Sequence, residues 1–574
     1  MYSNKDNVNI LTSLLIASGV RQAVVCPGSR NAPIVHNFHA SGIIACHSVT
    51  DERSAGFYAL GMAQALSEPV VVCVTSGTAL LGLSPAVAEA CYQHQPLIVV
   101  SADRPQQWID QLDGQTLLQQ GVFGSLVAKS VTLPEPHNDE ERWYCNRLVN
   151  EALLSLPACI HINVPISEPL FSFDSPSLPV ERLIDLIRPG VDYDCLPPQL
   201  LQSLSAARRP MVVFGQMAPD HFSGDGLDYL FSHVIVLHES TSPVRGVSHF
   251  DEVLHFLATD EERSQPMLPD VVIYAGGTIV SKRLRHFLRK ASGCEVWRIN
   301  DTGQVEDTFQ HLRGIVLGDA ESVLQSLSYK LSKSGLTAES AAYRRRWLQL
   351  LGAVSRHAAA YEPSYSQMAV VKRFETMVAD AATPTAHAHY ANSSAIRLAN
   401  IYAKHHVWCN RGVNGIEGSL STAAGFSIVA ASPLPHEPQP LVFCVIGDLS
   451  FFYDANALWN GSLQGNLRII LLNNGQGGIF NMLPGLSAST AHPSLIAAAH
   501  ATTAEGICLQ NHVDYFAAHS IDEVEEGLSR LTDITSAHPA LLEVFTSAET
   551  DGQILRDYYA SCRQVLEALA CNLK

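Results

Sequence analysis

Two runs of apolar residues near position 450 are separated by a segment with helical spacing. Leu441–Ile446 is continuously apolar and Leu467–Leu472 is largely apolar; both are rich in Val, Ile or Leu, and turn-forming residues end both runs. Between them, Ala455, Leu458 and Trp459 recur on one face of a helix. Apolar strands of this kind are buried on both faces, as in a parallel sheet. The pattern therefore predicts a strand-helix-strand unit.

The same pattern occurs a second time near the N-terminus. When residues 69–105 are laid on the first unit without gaps, Gly77 falls on Asp448 and Asp103 falls on Asn474. Strand, turn, helix and strand coincide throughout. We interpret this as an internal repeat, in which two doubly wound domains share one design. Only the second domain has an acidic residue at the position of Asp448. The alternative is that any two strand-helix-strand units look alike.

A further α/β segment, residues 203–327, separates the two repeats. Proline-rich sequence between Phe173 and Gln199 indicates a linker before it. Residues 332–365 indicate a mostly helical connector after it, with a helix from Tyr343 to Leu351. The predicted fold class is α/β, with three doubly wound, mainly parallel-sheet domains at 1–185, 195–345 and 360–574. Strands are expected in the middle segment at Met211–Phe214, His233–Leu237, Val271–Tyr274, Val296–Ile299 and Ile315–Val316.

Shorter elements complete the two repeats. An amphipathic helix is predicted over residues 8–20, and a second helix follows Thr50. The remaining strands are predicted at Gln22–Cys26, Gly42–His47, His387–Tyr390 and Val407–Cys409.

Composition narrows the class of protein. The 574 residues carry a formal net charge of −18 and no Lys/Arg-rich run, which argues against nucleic acid and anionic membrane surfaces as partners. No apolar run has the roughly 18 residues of a membrane span, and the N-terminus lacks a signal-peptide pattern. The 13 cysteines are an odd number, mostly in apolar segments, and no CxxC pair indicates zinc. We expect reduced thiols and a cytoplasmic location.

Oxygen-donor side chains follow both strands of the later unit. Asp448 comes directly after the first strand and Asn474 directly after the second, and the carboxyl ends of parallel strands form the ligand edge of such sheets. With the main-chain carbonyl of Gln476, these groups could fill half of an octahedral Mg²⁺ shell. Phosphate and water would complete it, so a diphosphate cofactor is indicated. The alternative for Asp448 alone is an ordinary strand end before an Asn-Gly turn.

Further candidate site residues follow a predicted strand or lie at the start of a predicted helix. Arg30 follows a predicted strand in Pro-Gly-Ser-Arg and could hold a carboxylate, although a surface arginine in a turn is the alternative. Glu52 begins a helix, where acidic residues commonly offset the dipole. Ser393 and Arg397 lie one turn apart on a helix whose amino end suits phosphate. Neither GxGxxG nor GxxxxGK[ST] occurs, so nicotinamide and P-loop nucleotide sites have no support.

With these residues identified, the chain resembles the family of 2-succinyl-5-enolpyruvyl-6-hydroxy-3-cyclohexene-1-carboxylate synthases, thiamine-diphosphate (ThDP) enzymes of menaquinone biosynthesis. The likeness covers nearly the full length and is strongest at the two ends. The matching segments are Pro27-Gly28-Ser29-Arg30, Thr50-Asp51-Glu52-Arg53, Thr75-Ser76-Gly77-Thr78-Ala79, Ala102-Asp103-Arg104-Pro105, Ser281-Lys282-Arg283-Leu284, Asn410-Arg411-Gly412, Leu420 to Gly425, Gly447-Asp448-Leu449-Ser450 and Ile479-Phe480.

The resemblance implies the pyrimidine, central and diphosphate domains of a ThDP enzyme. It implies a transferase that decarboxylates 2-oxoglutarate and adds the succinyl carbanion to isochorismate in a 1,4-addition. The implied cofactors are ThDP and Mg²⁺ or Mn²⁺. Glu52 would be the carboxylate against N1′ of the aminopyrimidine, and Asp448, Asn474 and Gln476 would hold the metal. Ile479 would support the bent cofactor.

The resemblance also assigns the remaining site residues. Arg30 and Gln115 join Glu52 and Ile479 as the implied catalytic residues. Further cofactor contacts are implied for Gly77, Asn392, Ser393, Gly447 and Leu449. Substrate contacts are implied for Ser29, Arg30, Arg104, Gln115, Lys282, Ser393, Arg397, Arg411, Phe480 and Leu483. Both substrates are dianions, which guanidinium groups bind well in a chain of net negative charge.

Two departures from the family pattern bear on the substrate and on the metal. Gly114-Gln115 stands where the family usually has Asn-Gln, so one amide contact to substrate is lost or replaced. The order of Asn, Gly and Gln in residues 473–478 is also changed, which bears on the carbonyl ligand.

The sequence leaves two other interpretations of the function open. Another ThDP-dependent 2-oxo acid decarboxylase or an acetolactate-type synthase would act on smaller, less charged substrates and would not need five cationic candidates. A catalytically silent ThDP- or nucleotide-binding protein would have no reason to keep both Glu52 and the Asp448/Asn474 pair. The expected assembly is at least a homodimer with active sites at the interface, and two dimers could pair.

Overall fold

The N-terminal unit contains a six-stranded parallel sheet. The computed structural model describes residues 1–186, 196–219, 222, 225–244, 246–380, 386–430, 439–483 and 485–572. The strands are β1 Gln22–Val25, β2 Ala45–Ser48, β3 Val70–Val74, β4 Leu97–Asp103, β5 Lys129–Thr132 and β6 Ile160–Pro165. The helices are α1 Asp6–Ala17, α2 Ala32–Ser41, α3 Glu52–Leu66, α4 Thr78–Gly82, α5 Ser84–Tyr92 and α6 Asp139–Leu153.

The central unit contains a five-stranded parallel sheet. Its strands are β7 Pro210–Phe214, β8 Ile235–His238, β9 Val271–Ala275, β10 Glu295–Asn300 and β11 Leu312–Leu317, in the order β11-β10-β9-β7-β8. Its helices are α7 Pro198–Ala206, α8 Asp228–His233, α9 Phe250–Leu257, α10 Glu261–Ser264, α11 Lys282–Arg289 and α12 Ala320–Ser334. The connector predicted over residues 332–365 is the long helix α13, Ala338–Ala360.

The C-terminal unit contains the second six-stranded parallel sheet. Its strands are β12 Ala386–Tyr390, β13 Val407–Trp408, β14 Leu441–Gly447, β15 Leu467–Asn473, β16 Asp514–Ala518 and β17 Ala540–Phe545. Its helices are α14 Gln367–Val378, α15 Ser394–Tyr402, α16 Ser419–Val429, α17 Asp448–Tyr453, α18 Glu505–Gln510, α19 Ile521–Leu531 and α20 Ala548–Asn572.

The two six-stranded sheets have the same topology, which confirms the predicted repeat. Their orders are β2-β1-β3-β4-β6-β5 and β13-β12-β14-β15-β17-β16. Alternate residues of β3 pack into different cores: Val70, Val72 and Val74 on one face, Val71 and Cys73 on the other. Both faces of the sheet are therefore covered, as the continuous apolar runs predict. The predicted fold class, three parallel-sheet α/β domains, is confirmed.

The predicted helix between β14 and β15 is broken. Regular helix ends at Tyr453, and a 3₁₀ turn over Ala455–Leu458 follows it. The fully buried Asp454 lies at the break, where its carboxylate accepts hydrogen bonds from the backbone N–H (2.7 Å) and the hydroxyl (2.7 Å) of Ser421. Trp459, predicted on the helix face, is 61% exposed. A tertiary hydrogen bond therefore overrides the helical periodicity of this segment.

One further boundary differs from the prediction, and the predicted linker agrees with the structure. Strand β2 begins at Ala45 rather than Gly42, because Gly42 ends α2 with a φ of 63°. The proline-rich stretch after Phe173 contains neither helix nor strand among its described residues before Pro198, which agrees with a linker; residues 187–195 of that stretch lie outside the described ranges.

The two repeats contact each other within one chain through α3 and α16. Glycines make this close crossing feasible, since a Cβ at Gly61 would overlap the carbonyl oxygen of Thr422, and one at Gly425 would overlap Tyr58. The hydroxyl of Tyr58 also donates to the carbonyl of Ala457 (2.5 Å). The relative placement of the two sheets is thus fixed by backbone contact and by a shared apolar core.

Two further findings concern the chain as a whole. Among the described residues, no helix combines the length and apolarity needed to cross a membrane. The twelve cysteines in the described ranges are all free thiols.

Candidate active site

Three strands of the C-terminal sheet end beside one cavity of about 130 Å³. Strands β12, β14 and β15 are neighbours in this sheet. Asn392 and Ser393 come after β12, Gly447 and Asp448 lie at the end of β14, and Asn474 follows β15; all of these residues line the cavity. Parallel pairing brings the carboxyl ends of these strands to one edge of the sheet, as predicted. Other residues of this cavity are Ser394, Leu449, Gln476, Ile479 and Phe480.

The carboxylate of Asp448 is held rigidly at this edge. Its Oδ1 accepts the Leu449 N–H (2.7 Å), and its Oδ2 accepts the N–H groups of Asn474 (3.2 Å) and Gln476 (3.1 Å). Only 4% of the residue is exposed, and burial raises the pKa of Asp448, although the N–H groups of Leu449, Gly475 and Gln476 and the charge of His500 oppose the rise. A buried carboxylate with a raised pKa favours a neighbouring cation.

Asn474 and Gln476 complete a set of hard oxygen donors. The side-chain nitrogen of Asn474 donates to Asp551 (3.2 Å), and no donor in the described part of the chain occupies the carbonyl oxygen. One carboxylate, one amide carbonyl and one main-chain carbonyl suit Mg²⁺, which takes its remaining ligands from phosphate and water. The residues present therefore fit a Mg²⁺-diphosphate group.

The loop after β12 is shaped for an anion. Ser393 precedes α15 with a φ of 75°, which is unusual for a residue other than glycine, and Ser394 begins the helix beside the cavity. The side chain of Asn392 donates to the carbonyls of Asn410 (2.7 Å) and Gly415 (2.7 Å), so it ties this loop to the one after β13. The amino end of α15 is thereby aimed at the cavity, where phosphate would be favoured.

A second cavity of about 190 Å³ adjoins the first and is lined by two cationic side chains. Lys282 of the central unit and Arg397 of α15 line it together with Asn474, Ile479 and Leu483. The guanidinium of Arg397 donates to the Ser393 carbonyl (2.7 Å), and its pKa is lowered by burial and by the charge of Arg411. The structure therefore brings most of the predicted substrate residues of the central and C-terminal units around the predicted metal ligands.

Arg411 lies behind this group. It is buried and donates to the Oδ1 of Asn392 (2.9 Å). Its positive charge reaches Arg397, so anions bound near Arg397 would also be attracted to Arg411.

The predicted residues of the N-terminal unit form a separate group. Arg30 donates to the Ile166 carbonyl (2.9 Å) and contacts Glu168 (3.2 Å), and its pKa is lowered by burial and by Arg104. Arg104 donates to the carbonyl of Gly114 (2.8 Å). Ser29 precedes Arg30 in the same turn. The two arginines are thus close enough to act on one anion.

Glu52 and Gly77 lie at the amino ends of two helices of this unit. Glu52 is the first residue of α3 and lies against Gly82, where an added Cβ would be 3.0 Å from the Cβ of Glu52. Gly77 precedes α4 with a φ of 86°, and an added Cβ there would meet the backbone of Gln115 at 3.3 Å. Substitution of either glycine would therefore crowd a predicted site residue.

In the described part of the chain, the N-terminal group lines none of the cavities that contain the C-terminal group. These are the two cavities above and a third, of about 320 Å³, which Lys282 and Arg397 also line; all three are lined by residues 238–559. Glu52, Gly77 and Gln115 lie outside them. Within the chain, the N-terminal unit contacts the C-terminal unit through the residues that flank Glu52: Asn456 donates to Asp51 (2.8 Å), and Arg53 donates to the Tyr453 carbonyl (2.8 Å).

Three residues that support the site were missed by sequence reasoning. His500 places Nε2 at 3.5 Å from Asp448, and its Nδ1 accepts the Thr502 N–H (3.1 Å). Gln119 accepts the Gly77 N–H (2.8 Å), and Asp551 accepts the Asn474 amide. Each lies far from the motif that it supports or outside any motif, so no local signal identifies it.

The chain is similar to known thiamine pyrophosphate enzymes. The family described as "Thiamine pyrophosphate enzyme, N-terminal TPP binding domain" matches residues 7–126. Relatives named 2-succinyl-5-enolpyruvyl-6-hydroxy-3-cyclohexene-1-carboxylate synthase occur in Bacteroides fragilis (43% identity, 97% of this chain and 99% of the relative) and Bacteroides thetaiotaomicron (41%, 98% and 100%). A more distant relative of the same name, from Desulfotalea psychrophila, is 35% identical over 94% of this chain and 98% of its own length.

Proposed function

Since the chain belongs to the family of 2-succinyl-5-enolpyruvyl-6-hydroxy-3-cyclohexene-1-carboxylate synthases, we propose that its site performs that synthesis from 2-oxoglutarate and isochorismate. The reaction is a decarboxylation of 2-oxoglutarate followed by 1,4-addition of the four-carbon unit to isochorismate, a step of menaquinone biosynthesis. A reducing, cytoplasmic location is part of the proposal, because the described cysteines are free thiols.

One observation carries the proposal: Asp448 and Asn474 line the 130 Å³ cavity, and Asn474 also lines the adjoining 190 Å³ cavity together with Lys282 and Arg397. Each proposed substrate has two carboxylates, and the protein as a whole is strongly acidic. Local cations are therefore needed to offset the repulsion of a dianion. A smaller, less charged 2-oxo acid would not require them.

The proposed roles follow from position. ThDP, when bound, supplies an electron sink for the negative charge that remains when carbon dioxide leaves. Asp448, Asn474 and the carbonyl of Gln476 would hold Mg²⁺, or Mn²⁺, and Ser393 would meet the diphosphate at the start of α15. The carboxyl group of Glu52 would hold a proton at the pyrimidine nitrogen N1′.

The substrate-facing residues divide by chemistry. Lys282, Arg397 and Arg411 would bind substrate carboxylates from the C-terminal side, and Arg30 and Arg104 from the N-terminal side. Apolar walls would be formed by Ile479, Phe480 and Leu483, which exclude water from the reacting carbon. Ser29 and Gln115 would donate hydrogen bonds to substrate.

We assign the complete site to a homodimer, because in the described part of one chain Glu52 lies outside the cavities that contain the C-terminal group. A second copy could bring its N-terminal group against the C-terminal group of the first. Exposed apolar side chains beside both groups support this arrangement: Leu81 in α4, Leu118 near Gln115, and Ile416 at the metal cavity. Their burial between copies would stabilise the association.

An assay of both products tests the proposed reaction. With ThDP, Mg²⁺, 2-oxoglutarate and isochorismate, we expect carbon dioxide and the cyclohexene product in equal amounts. Without isochorismate, carbon dioxide release should fall sharply, because the four-carbon unit has no acceptor. Equal release in both conditions, with succinic semialdehyde as product, would identify a simple decarboxylase instead. A protein that binds ThDP and forms neither product would be a silent relative.

A further inference from the structure

The C-terminal helix α20 places a carboxylate behind the predicted metal ligands. Asp551, in the first turn of this helix, accepts the side-chain N–H of Asn474 on Oδ2 (3.2 Å). The same oxygen accepts the hydroxyl of Thr546 (2.8 Å), and Oδ1 accepts the backbone N–H of Gln367 (2.9 Å). Three donors from three segments of the chain thus fix this carboxylate in one orientation.

The contact determines which end of the Asn474 amide faces the metal position. An ionised carboxylate can only accept hydrogen bonds, so the amide must present its nitrogen to Asp551. The carbonyl oxygen is then directed away from Asp551 and is free to act as a ligand. Had the amide turned over, its oxygen would face the Oδ2 of Asp551, and its N–H group would face the cation.

Asp551 is partly buried and is surrounded by three hydrogen-bond donors. Burial raises the pKa of Asp551, and the N–H of Gln367, the hydroxyl of Thr546 and the amide of Asn474 all act in the opposite direction. Asp551 also lines the 190 Å³ cavity with Arg397 and Lys282. A partly buried carboxylate that is held by three donors makes a rigid support for a neighbouring ligand.

We propose that Asp551 is a positioning residue, which fixes the amide of Asn474 so that its carbonyl oxygen is presented to the divalent metal of the cofactor. The proposal rests on the proposed function, because it takes Asn474 to be a metal ligand. Asp551 itself does not contact the metal. Its effect is to remove the need for the Asn474 amide to reorient when the cation binds, as supporting residues do in other metal sites.

The test must separate this role from a purely structural one, because Asp551 also caps the start of α14 through Gln367. In Asp551→Asn, one carboxylate oxygen becomes an NH₂ group. The backbone N–H of Gln367 cannot reorient, whereas the Thr546 hydroxyl and the Asn474 amide can, so the NH₂ group should face Asn474. That amide then turns over, and metal affinity falls while the helix cap is kept.

We expect Mg²⁺ to bind Asp551→Asn about 10- to 100-fold more weakly than the wild type, the range found when groups that hydrogen-bond to metal ligands are removed. Calorimetric titration with Mg²⁺ at saturating ThDP measures this without reference to turnover. The thermal midpoint of the cofactor-free variant should match that of Asp557→Asn, a control on the exposed side of the same helix. Unchanged Mg²⁺ affinity with a lowered midpoint would overturn the proposal.

A reciprocal exchange provides the stricter test. In the double variant Asn474→Asp/Asp551→Asn, the new asparagine donates to the new carboxylate, whose other oxygen again faces the metal. We expect this exchange to restore most of the Mg²⁺ affinity lost in Asp551→Asn, whereas independent effects would add. Failure of the exchange to restore any affinity would contradict the proposal. If the wild-type protein itself did not bind Mg²⁺ and ThDP, the proposed function would be wrong rather than the role of Asp551.

Discussion

Replacement of Glu52 by glutamine is expected to lower turnover by about 10²- to 10⁴-fold, the usual contribution of a group that transfers a proton. The change keeps the size and hydrogen-bonding reach of the side chain but removes its ability to share a proton with the pyrimidine nitrogen. Glu52 begins α3 and makes none of the contacts proposed for the metal or the diphosphate. Binding of ThDP and Mg²⁺ should therefore remain close to that of the wild type.

Single-turnover kinetics and calorimetry with ThDP together measure the effect of Glu52→Gln. The matched control is Glu68→Gln, which changes an exposed glutamate just beyond the same helix. The control should retain full turnover, so a loss common to both variants would indicate damage to α3. Wild-type turnover in Glu52→Gln would contradict the role assigned to the carboxyl group.

Replacement of Asp448 by asparagine should weaken Mg²⁺ binding by more than about 100-fold, because loss of a direct ligand should cost at least as much as loss of a supporting residue. The variant keeps one amide oxygen for the backbone N–H groups of Asn474 and Gln476, so the loop can retain its shape. What it loses is the negative charge that offsets the cation in a site only 4% exposed. ThDP bridged by the metal should be lost with it.

Thermal unfolding with and without cofactor measures this loss. A ligand present at one hundred times its Kd stabilises the folded state by about 2.7 kcal/mol, and the wild type should show a corresponding rise in midpoint when Mg²⁺ and ThDP are added. Asp448→Asn should show no rise, while the exposed control Asp522→Asn should behave as the wild type. A cofactor-induced rise of normal size in Asp448→Asn would exclude the proposed metal position.

The strands and the repeat were predictable from sequence because their signal is local. Continuous apolar runs such as Leu441–Ile446 and Val70–Val74 can only be buried on both faces, and their order along the chain limits how a parallel sheet can form. The break after Tyr453 was not predictable, since it depends on the contact between Asp454 and Ser421. Helical periodicity says nothing about a tertiary partner 33 residues away.

Some residues of the site could likewise be predicted from the sequence, and others could not. Asp448 and Asn474 could be predicted because each directly follows a strand, and strand ends meet at a known edge of the sheet. Asp551 and His500 could not, because one lies on a helix 77 residues beyond Asn474 and the other in irregular structure. Their importance is visible only when donor and acceptor directions are compared across segments.

The separation of the two residue groups leads to the central claim that two copies of the chain form each active site. Glu52 and Asp448 would act on one cofactor, yet among the described residues of one chain Glu52 does not line the cavities around the metal ligands. In a hybrid of one Glu52→Gln chain and one Asp448→Asn chain, a site shared between copies is intact once and doubly altered once. A site within a single chain is altered in both.

Co-expression of the two variants with different affinity tags, followed by purification on both tags, yields this hybrid for assay. The two-fold symmetry of a homodimer predicts about half of the wild-type turnover per dimer, although each variant alone is nearly inactive. A hybrid that is as inactive as its parents would contradict the shared site.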